Sequence, residues 1–154
     1  MTLAIRPPQP HDVERIAATM AWIDVLECRA AGHSPWQALS RAKEESHMCW
    51  VGEIDGWPHA MFGVVPLSLA TGRGAPWFLG TEQARTQGKA LLKFASVYLD
   101  AIEFFYPRLE GHVAERNRRA IRWLRYMGFV VEDHNAVLMR GEPMLRFSKG
   151  FDDV

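Results

Sequence analysis

The sequence predicts a mixed α/β fold, in which a central twisted sheet of parallel and antiparallel strands carries helices on both faces. The first observation is the order of the predicted elements, β-α-α-β-β-β-α-β-α-β-β. The second is a strand–helix–strand unit at 110–132, and the third is a hairpin signal, Asp55 followed by Gly56, between two apolar segments. A chain of 154 residues, 48% of them apolar, can bury one proper core, so we expect a single domain over 1–154.

The first half of the chain alternates between strand and helix patterns. Asp12 is a suitable N-cap for a helix whose apolar residues continue to Leu26, and Gly32, Ser34 and Pro35 then separate it from the next helix. A glycine-rich turn follows at 72–74. The elements predicted in this half are strands at 3–6, 48–54, 58–67 and 77–79 and helices at 12–26 and 36–46.

The second half contains the longest predicted helix, at 82–105, which ends at Pro107. A strand at 109–113 is followed by a helix at 117–127, because Asn117 can cap it and Gly128 can take the left-handed conformation that ends it. The apolar residues between them recur on one helical face. Two final strands are predicted at 130–138 and 144–149, around a turn at 140–142.

Charge and cysteine content restrict the kind of partner and compartment. Lysine plus arginine and aspartate plus glutamate number 18 each, so no net charge favours nucleic acid or a membrane surface. Five arginines cluster at 116–125. Such a cluster indicates a solvated helix face, contact with a phosphate or binding to nucleic acid, and the acidic tail of Asp152 and Asp153 disfavours nucleic-acid binding. Two cysteines without an apolar leader or long apolar run favour a soluble, cytoplasmic protein.

Two motifs resemble those of the Gcn5-related N-acetyltransferase (GNAT) fold. The N-x-x-A…G-F pattern that begins at Asn117 is similar to the last βαβ unit of that fold, and R-x-x-G-x-A at 85–90 is similar to its pyrophosphate loop. Amides at a helix N-terminus attract an anion, and small residues let phosphate approach the backbone. The resemblance implies that acetyl-CoA is held by three groups of residues. They are Leu79, Gly80 and Thr81 for the pantetheine arm, Arg85, Gln87, Gly88, Lys89 and Ala90 for the pyrophosphate, and Asn117 near the thiol.

The loop at 85–90 also has alternative interpretations. A glycine early in a helix can serve packing alone, which would explain Gly88 without a ligand. The step from Leu79 to Arg85 is longer than is usual for the family. If Arg85 and Gln87 lie inside an already formed helix, its amides are bonded and the anion site is closed.

A narrower resemblance involves 24–32, whose sequence DVLECRAAG is similar to the D-I-L-E-A-K-A-A-G segment of the internal virion protein family of T7-like phages. Further short motifs of that family follow in the same order, and the similarity extends over 23–150. It implies an acetyltransferase-like phage protein in the host cytoplasm or the virion. Such a protein would either acetylate an unidentified amine or act without catalysis among phage virion proteins.

Acetyl transfer needs a base for the amine proton and an acid for the leaving thiolate. Glu27 is the first candidate for the base and His112 the second, although an ion-paired acid and a half-buried histidine are the simpler interpretations. The resemblance implies a tyrosine acid seven residues after Asn117, but that position holds Leu124, and Tyr126 lies two residues further. No histidine or cysteine spacing predicts a zinc site.

Overall fold

A computed structural model describes residues 1–151, and the predicted acidic tail at Asp152 and Asp153 lies outside them. The strands are β1 (Leu3–Arg6), β2 (Met48–Ile54), β3 (Trp57–Ser68), β4 (Arg73–Gly80), β5 (Arg108–Ala114), β6 (Val130–Val131), β7 (Val137–Met139) and β8 (Glu142–Lys149). The helices are α1 (Asp12–Ala18), α2 (Trp22–Ala30), α3 (Pro35–Glu45), α4 (Glu82–Thr86), α5 (Gly88–Phe105) and α6 (Arg118–Tyr126). None of the helices in this described part is long and apolar enough to cross a membrane.

All these strands belong to one sheet, in the order β1-β2-β3-β4-β5-β8-β6, with β7 beside β8. β4 and β5 run parallel and the other neighbours run antiparallel, which confirms the predicted mixed sheet. Within the described residues β4 and β5 are paired at two positions, Arg73 with Arg108 and Gly74 with Leu109, whereas β5 and β8 are paired at six. The two parallel strands therefore separate after Gly74.

Helices cover both faces of the sheet, as predicted. On one face Val51 and Met61 pack with Ile16 of α1 and Leu39 of α3. On the other face α5 and α6 cover a larger apolar cluster. Its buried members are Val64, Ile102, Tyr106, Leu109, Val113, Ile121, Phe129, Val131, Leu145 and Phe147. Burial of these two apolar layers is the main force that holds the helices against the strands.

The predicted helix at 12–26 is wrong in one respect, because it is two helices with a break at 19–21. At the break Met20 forms a bridge to Thr81, and the amide of Ala21 donates to the carbonyl of Gly80 at 2.9 Å. Asp12 is also not the N-cap: it is the first residue of α1, and its carboxylate accepts from Arg6 and from the Gln9 amide. The break turns α2 so that it starts beside the end of β4.

Three further boundaries differ from the prediction. The helix predicted at 82–105 is divided at Gln87 into α4 and α5, and the strand predicted at 130–138 is divided into β6 and β7. β4 is longer than the predicted 77–79 and includes Gly74, where a Cβ would come within 2.9 Å of the Tyr106 ring. Asn117 as the N-cap of α6 and Gly128 with a φ of 94° are confirmed.

Candidate functional site

The separation of β4 and β5 leaves an opening in the middle of the sheet. A cavity of about 340 Å³ occupies this opening, and we call it the through-sheet cavity. It is lined from the α2 and α3 side as well as from the α5 and α6 side, so it connects the two faces of the sheet. Its lining includes Asp24, Glu27, Phe78, Leu91, Asn117 and Leu124.

The backbone of β4 offers few amides to this opening. The amide of Thr81 donates to the carbonyl of His59 on β3 at 2.8 Å. Because bonded residues alternate along an antiparallel pair, the amide of Leu79 also faces β3, whereas those of Phe78 and Gly80 point toward β5. Of the amides predicted to hold the pantetheine arm, those of Leu79 and Thr81 are thus used within the sheet, and that of Gly80 faces the opening.

Two carboxylates of α2 bind amides on the two edges of the opening. Asp24 Oδ2 accepts from the Gly80 amide of β4 at 2.9 Å, and Glu27 Oε2 accepts from the Ala114 amide of β5 at 2.8 Å. Asp24 is buried, with 4% of its surface exposed. The carboxylates therefore bridge strands that have no backbone bonds to each other at this level.

An arginine and an asparagine complete what we call the carboxylate network. Asn117 donates through Nδ2 to Glu27 Oε2 at 3.1 Å, and its Oδ1 accepts from Arg85 Nη2 at 3.2 Å and from the Ala120 amide that it caps. Arg85 Nη1 lies 3.5 Å from Asp24 Oδ1. The structure thus brings together three predicted residues, Glu27, Arg85 and Asn117. All three line the through-sheet cavity, and they also bond to one another.

Burial controls the protonation of this network. Burial, with a smaller contribution from the charge of Glu27, raises the pKa of Asp24 to about 7, although the Gly80 amide and the Arg85 guanidinium oppose the shift. The pKa of Glu27 is raised for the same reason, against the opposing bonds from Ala114 and Asn117. Asp24 therefore changes charge near neutral pH, which the sequence did not indicate.

The predicted phosphate loop lies on the other side of this network. Arg85 is inside α4, but α4 ends at Thr86 and the chain starts a new helix at Gly88 after Gln87. The first amides of α5 have no acceptor within their own helix, and the dipole of its 18 residues favours an anion there. The amides of Arg85 and Gln87 are nevertheless bonded, to the carbonyls of Thr81 and Gln83, as the alternative interpretation anticipated, so an anion site here is limited to the amides at the start of α5.

A basic cleft of about 790 Å³ lies in front of this helix start. Its basic side chains come from α4, α5 and α6, and none of the residues that line it, all of them described, is acidic. The basic members are Arg85, Lys89, Lys93, Arg119 and Arg122. This arrangement is suited to a polyanion with more than one phosphate.

Gly88 has a packing role as well as its predicted role in binding. A Cβ at this position would overlap the indole ring of Trp123 on α6, so the glycine is required for the approach of these two helices. Trp123, Arg85 and Gly88 line both the through-sheet cavity and the basic cleft. The indole therefore lies in the wall that the two spaces share.

The remaining predicted catalytic positions are less specific. His112 lies on β5 and lines the through-sheet cavity, and Leu124 presents an apolar side chain to it. No tyrosine lines that cavity, although all three lie in the described residues. Tyr126 is 77% exposed, Tyr98 packs on Trp50, and Tyr106 bonds to His47.

The cysteines show no catalytic activation. Burial raises the pKa of Cys28 to about 12 and that of Cys49 to about 11, so both are neutral thiols at physiological pH. Cys28 lines the through-sheet cavity and contacts Met20 through sulfur. Among residues 1–151 no three His, Cys, Asp or Glu side chains are grouped to hold a metal.

The sequence pattern did not indicate Asp24 as a candidate functional residue. Its position three residues before Glu27 places both carboxylates on one face of α2, and this spacing was the one available signal. The signal was weak because an acid in an amphipathic helix is usually solvated. The burial of Asp24 depends on the break at 19–21, which orients α2.

Solved structures share this architecture. A spermidine N-acetyltransferase from Vibrio cholerae, solved in complex with CoA and spermine, has a TM-score of 0.68 at 15% identity, over 95% of this chain and 94% of that one. A ribosomal-protein-alanine N-acetyltransferase from Brucella melitensis has a TM-score of 0.68 at 17% identity, over 95% and 98%. An acetyltransferase of the GNAT family from Streptococcus pneumoniae has a TM-score of 0.61 at 16% identity, over 96% and 98%.

Comparison at the level of sequence gives no relative. No protein-family model matches this chain, and no curated protein sequence does either. The likeness is therefore one of architecture, and the parting of β4 and β5, the helices on both faces and the capped α6 agree with it. The chain has the fold of the GNAT N-acetyltransferases.

Proposed function

We propose that the protein is an acetyl-CoA-dependent N-acetyltransferase that acylates an amine. The observation that carries this proposal is that two spaces of different character adjoin. A basic cleft at the start of α5 and the through-sheet cavity between β4 and β5 share Arg85, Gly88 and Trp123 in their linings. An elongated molecule with phosphates at one end and an uncharged arm at the other matches this arrangement. The fold it shares with the Vibrio cholerae enzyme, solved with CoA and spermine, supports the same ligand class.

The basic cleft would hold the phosphates of CoA. The amides at Gly88, Lys89 and Ala90 would receive the diphosphate, because they lie at the positive end of the α5 dipole. The exposed Lys89 and Arg122 would add charge-assisted contacts to it or to the 3′-phosphate. Gln87 contributes through the helix break that it marks.

The through-sheet cavity would hold the pantetheine arm and the acetyl group. The donor supplies a thioester, whose carbonyl carbon gains a bond to the amine nitrogen as its bond to sulfur breaks. The Gly80 amide points into the opening and donates to Asp24 Oδ2 in the free protein; it would polarise the carbonyl oxygen of this group when that oxygen takes the place of the carboxylate. Asn117 would lie near the sulfur.

Glu27 would take the proton of the amine. Burial raises its pKa, which makes it a stronger base than an ordinary carboxylate, and Asn117 and the Ala114 amide fix its orientation. His112 is a second candidate, on the same wall of the cavity. Because Leu124 occupies the position of the acid, the leaving thiolate would take its proton from water.

A turnover assay tests the proposal. Acetyl-CoA is incubated with a panel of mono- and polyamines, and free thiol is measured. We expect amine-dependent thiol release, lowered about 100-fold in Glu27→Gln and unchanged in Glu44→Gln, an exposed control on α3. Absence of thiol release with every amine, together with no rise in melting temperature at millimolar acetyl-CoA, would overturn the proposal.

A second candidate is a phage protein that keeps the fold without catalysis. The apolar Leu124 and the side chains that already bridge the opening favour it, as does the resemblance to the T7-like internal virion family. Such a protein would reside in the host cytoplasm or the virion and bind other virion proteins. It would bind acetyl-CoA weakly or not at all and release no thiol, which is the outcome that separates the two candidates.

A further inference from the structure

The amide of Gly80 has an internal hydrogen-bond acceptor in the free protein. Its hydrogen bond to Asp24 Oδ2 is 2.9 Å long and buried, and it is supplied by the adjacent helix α2. A carboxylate oxygen and a thioester or amide carbonyl oxygen are both acceptors that sit in line with the N–H group. Asp24 thus lies where an acceptor atom of the donor molecule would lie.

Arg85 connects this bond to the basic cleft. Its side chain is 12% exposed and its guanidinium contacts both Asp24 and Asn117, yet the residue also lines the cleft where phosphates would bind. An arginine prefers the bidentate contact that a phosphate offers to a single contact at 3.5 Å. A diphosphate in the basic cleft would therefore draw Arg85 away from Asp24.

We propose that Asp24 is a positioning residue that occupies the donor's hydrogen-bond site on Gly80 in the free protein, and that binding of the donor releases it through Arg85. The inference rests on the function proposed above. The donor then competes with an internal acceptor, because the Gly80 amide is already occupied in the free protein. The sequence of events is phosphate binding, movement of Arg85, and exchange of Asp24 for a carbonyl oxygen at Gly80.

The charges around Asp24 give this exchange a pH dependence. Asp24 faces Glu27 and Cys28 on its own helix, Arg85 and Glu82 on α4, and the Gly80 amide on β4. When Arg85 and the amide are withdrawn, the carboxylate is left buried beside other acids, so its pKa rises above the value of about 7 in the free protein. Donor binding therefore takes up a proton, and affinity increases as pH falls through neutrality.

Calorimetric titration with CoA tests the inference with two variants and a matched control. Asp24→Ala removes the internal acceptor, and Asp24→Asn keeps its volume while removing its charge. Asp12→Asn is the control, since Asp12 is equally buried and also bonds to an arginine but lies on α1 outside both cavities. The full chain is used, at several pH values between 6 and 8.

We expect Asp24→Ala to bind CoA about tenfold more tightly than the natural chain at pH 7.5, and Asp24→Asn to show a smaller gain in the same direction. Both variants should show a weaker pH dependence of affinity than the natural chain, and Asp12→Asn should match the natural chain. A purely structural Asp24 would give the opposite sign, because its loss would loosen the site.

The outcomes separate this inference from the proposed function. If the natural chain binds CoA and both Asp24 variants bind it equally or more weakly, the inference is overturned and the function stands. If CoA binds none of the proteins, the proposed function fails and the inference falls with it. If Asp24→Ala does not fold, the sign of the effect in Asp24→Asn and its pH profile decide.

Discussion

The through-sheet cavity and the basic cleft differ in how their polar groups are satisfied. In the cavity, two carboxylates, an arginine and an asparagine bond to one another and to the strand amides of Gly80 and Ala114. In the cleft, five basic side chains surround a helix start and no acid lines the same space within the described chain. A ligand that uses the polar groups of the cavity would therefore have to break existing hydrogen bonds, whereas a polyanion in the cleft would supply the negative charge that its basic side chains lack.

The largest effect is expected from the cavity in the absence of ligand. The pKa of Asp24 is about 7 in the folded protein against 3.8 as the reference, so the folded state holds a proton that the unfolded state releases. Stability should therefore fall as pH rises from 4 to 7, by up to about 4 kcal/mol from this residue. Asp24→Asn should remove this part of the slope, as measured by urea unfolding across that pH range. If the free energy of unfolding depends on pH equally in the natural chain and in Asp24→Asn, ionisation of Asp24 does not destabilise the folded protein.

A smaller effect is expected from Asn117, which joins α6 to the network. Asn117→Ala removes an N-cap, at about 1 kcal/mol, and takes one of two partners from each of Glu27 and Arg85, so the total loss should be about 2–3 kcal/mol. Ser34→Ala is a matched control, because Ser34 caps α3 and lies outside both cavities. If the two substitutions cost the same free energy of unfolding, Asn117 acts only as a cap.

The third effect concerns the contact of Gly88 with Trp123, in the wall that the two regions share. Gly88→Ala introduces a methyl group against the Trp123 ring, and we expect it to destabilise the protein by about 2 kcal/mol. In a Trp123→Ala background the same change should cost little or nothing, which a double-mutant cycle measures. An equal cost in both backgrounds would mean that the indole does not contact Gly88.

Sequence predicted the parts of this fold that depend on neighbouring residues. Asn117 caps α6 through its own side chain, Gly128 adopts a positive φ, and Asp55 and Gly56 form the predicted turn. In each case the residue type itself favours the conformation. The basic members Lys89 and Arg122 also follow from local sequence, because they lie on helices whose positions were predicted.

The rest depends on contacts between distant segments. The apolar spacing continues through 19–21, and the break there is set by the bridge from Met20 to Thr81. The burial of Asp24 and its bond to Gly80 follow from that break. The division at Gln87 and the overlap that requires Gly88 likewise depend on α6, through Trp123. No residue of β4 or β5 predicts the opening between these two strands.

The central claim, that the basic cleft and the through-sheet cavity form one site for acetyl-CoA, is tested most directly by titration of acetyl-CoA into charge-reversal variants of α6. Arg122→Glu changes a side chain in the basic cleft, and Arg118→Glu changes an exposed arginine on the same helix that does not line it. We predict that Arg122→Glu weakens binding about tenfold or more and that Arg118→Glu leaves it nearly unchanged. Equal affinities for the two variants, or no binding by the natural chain at millimolar acetyl-CoA, would contradict the claim.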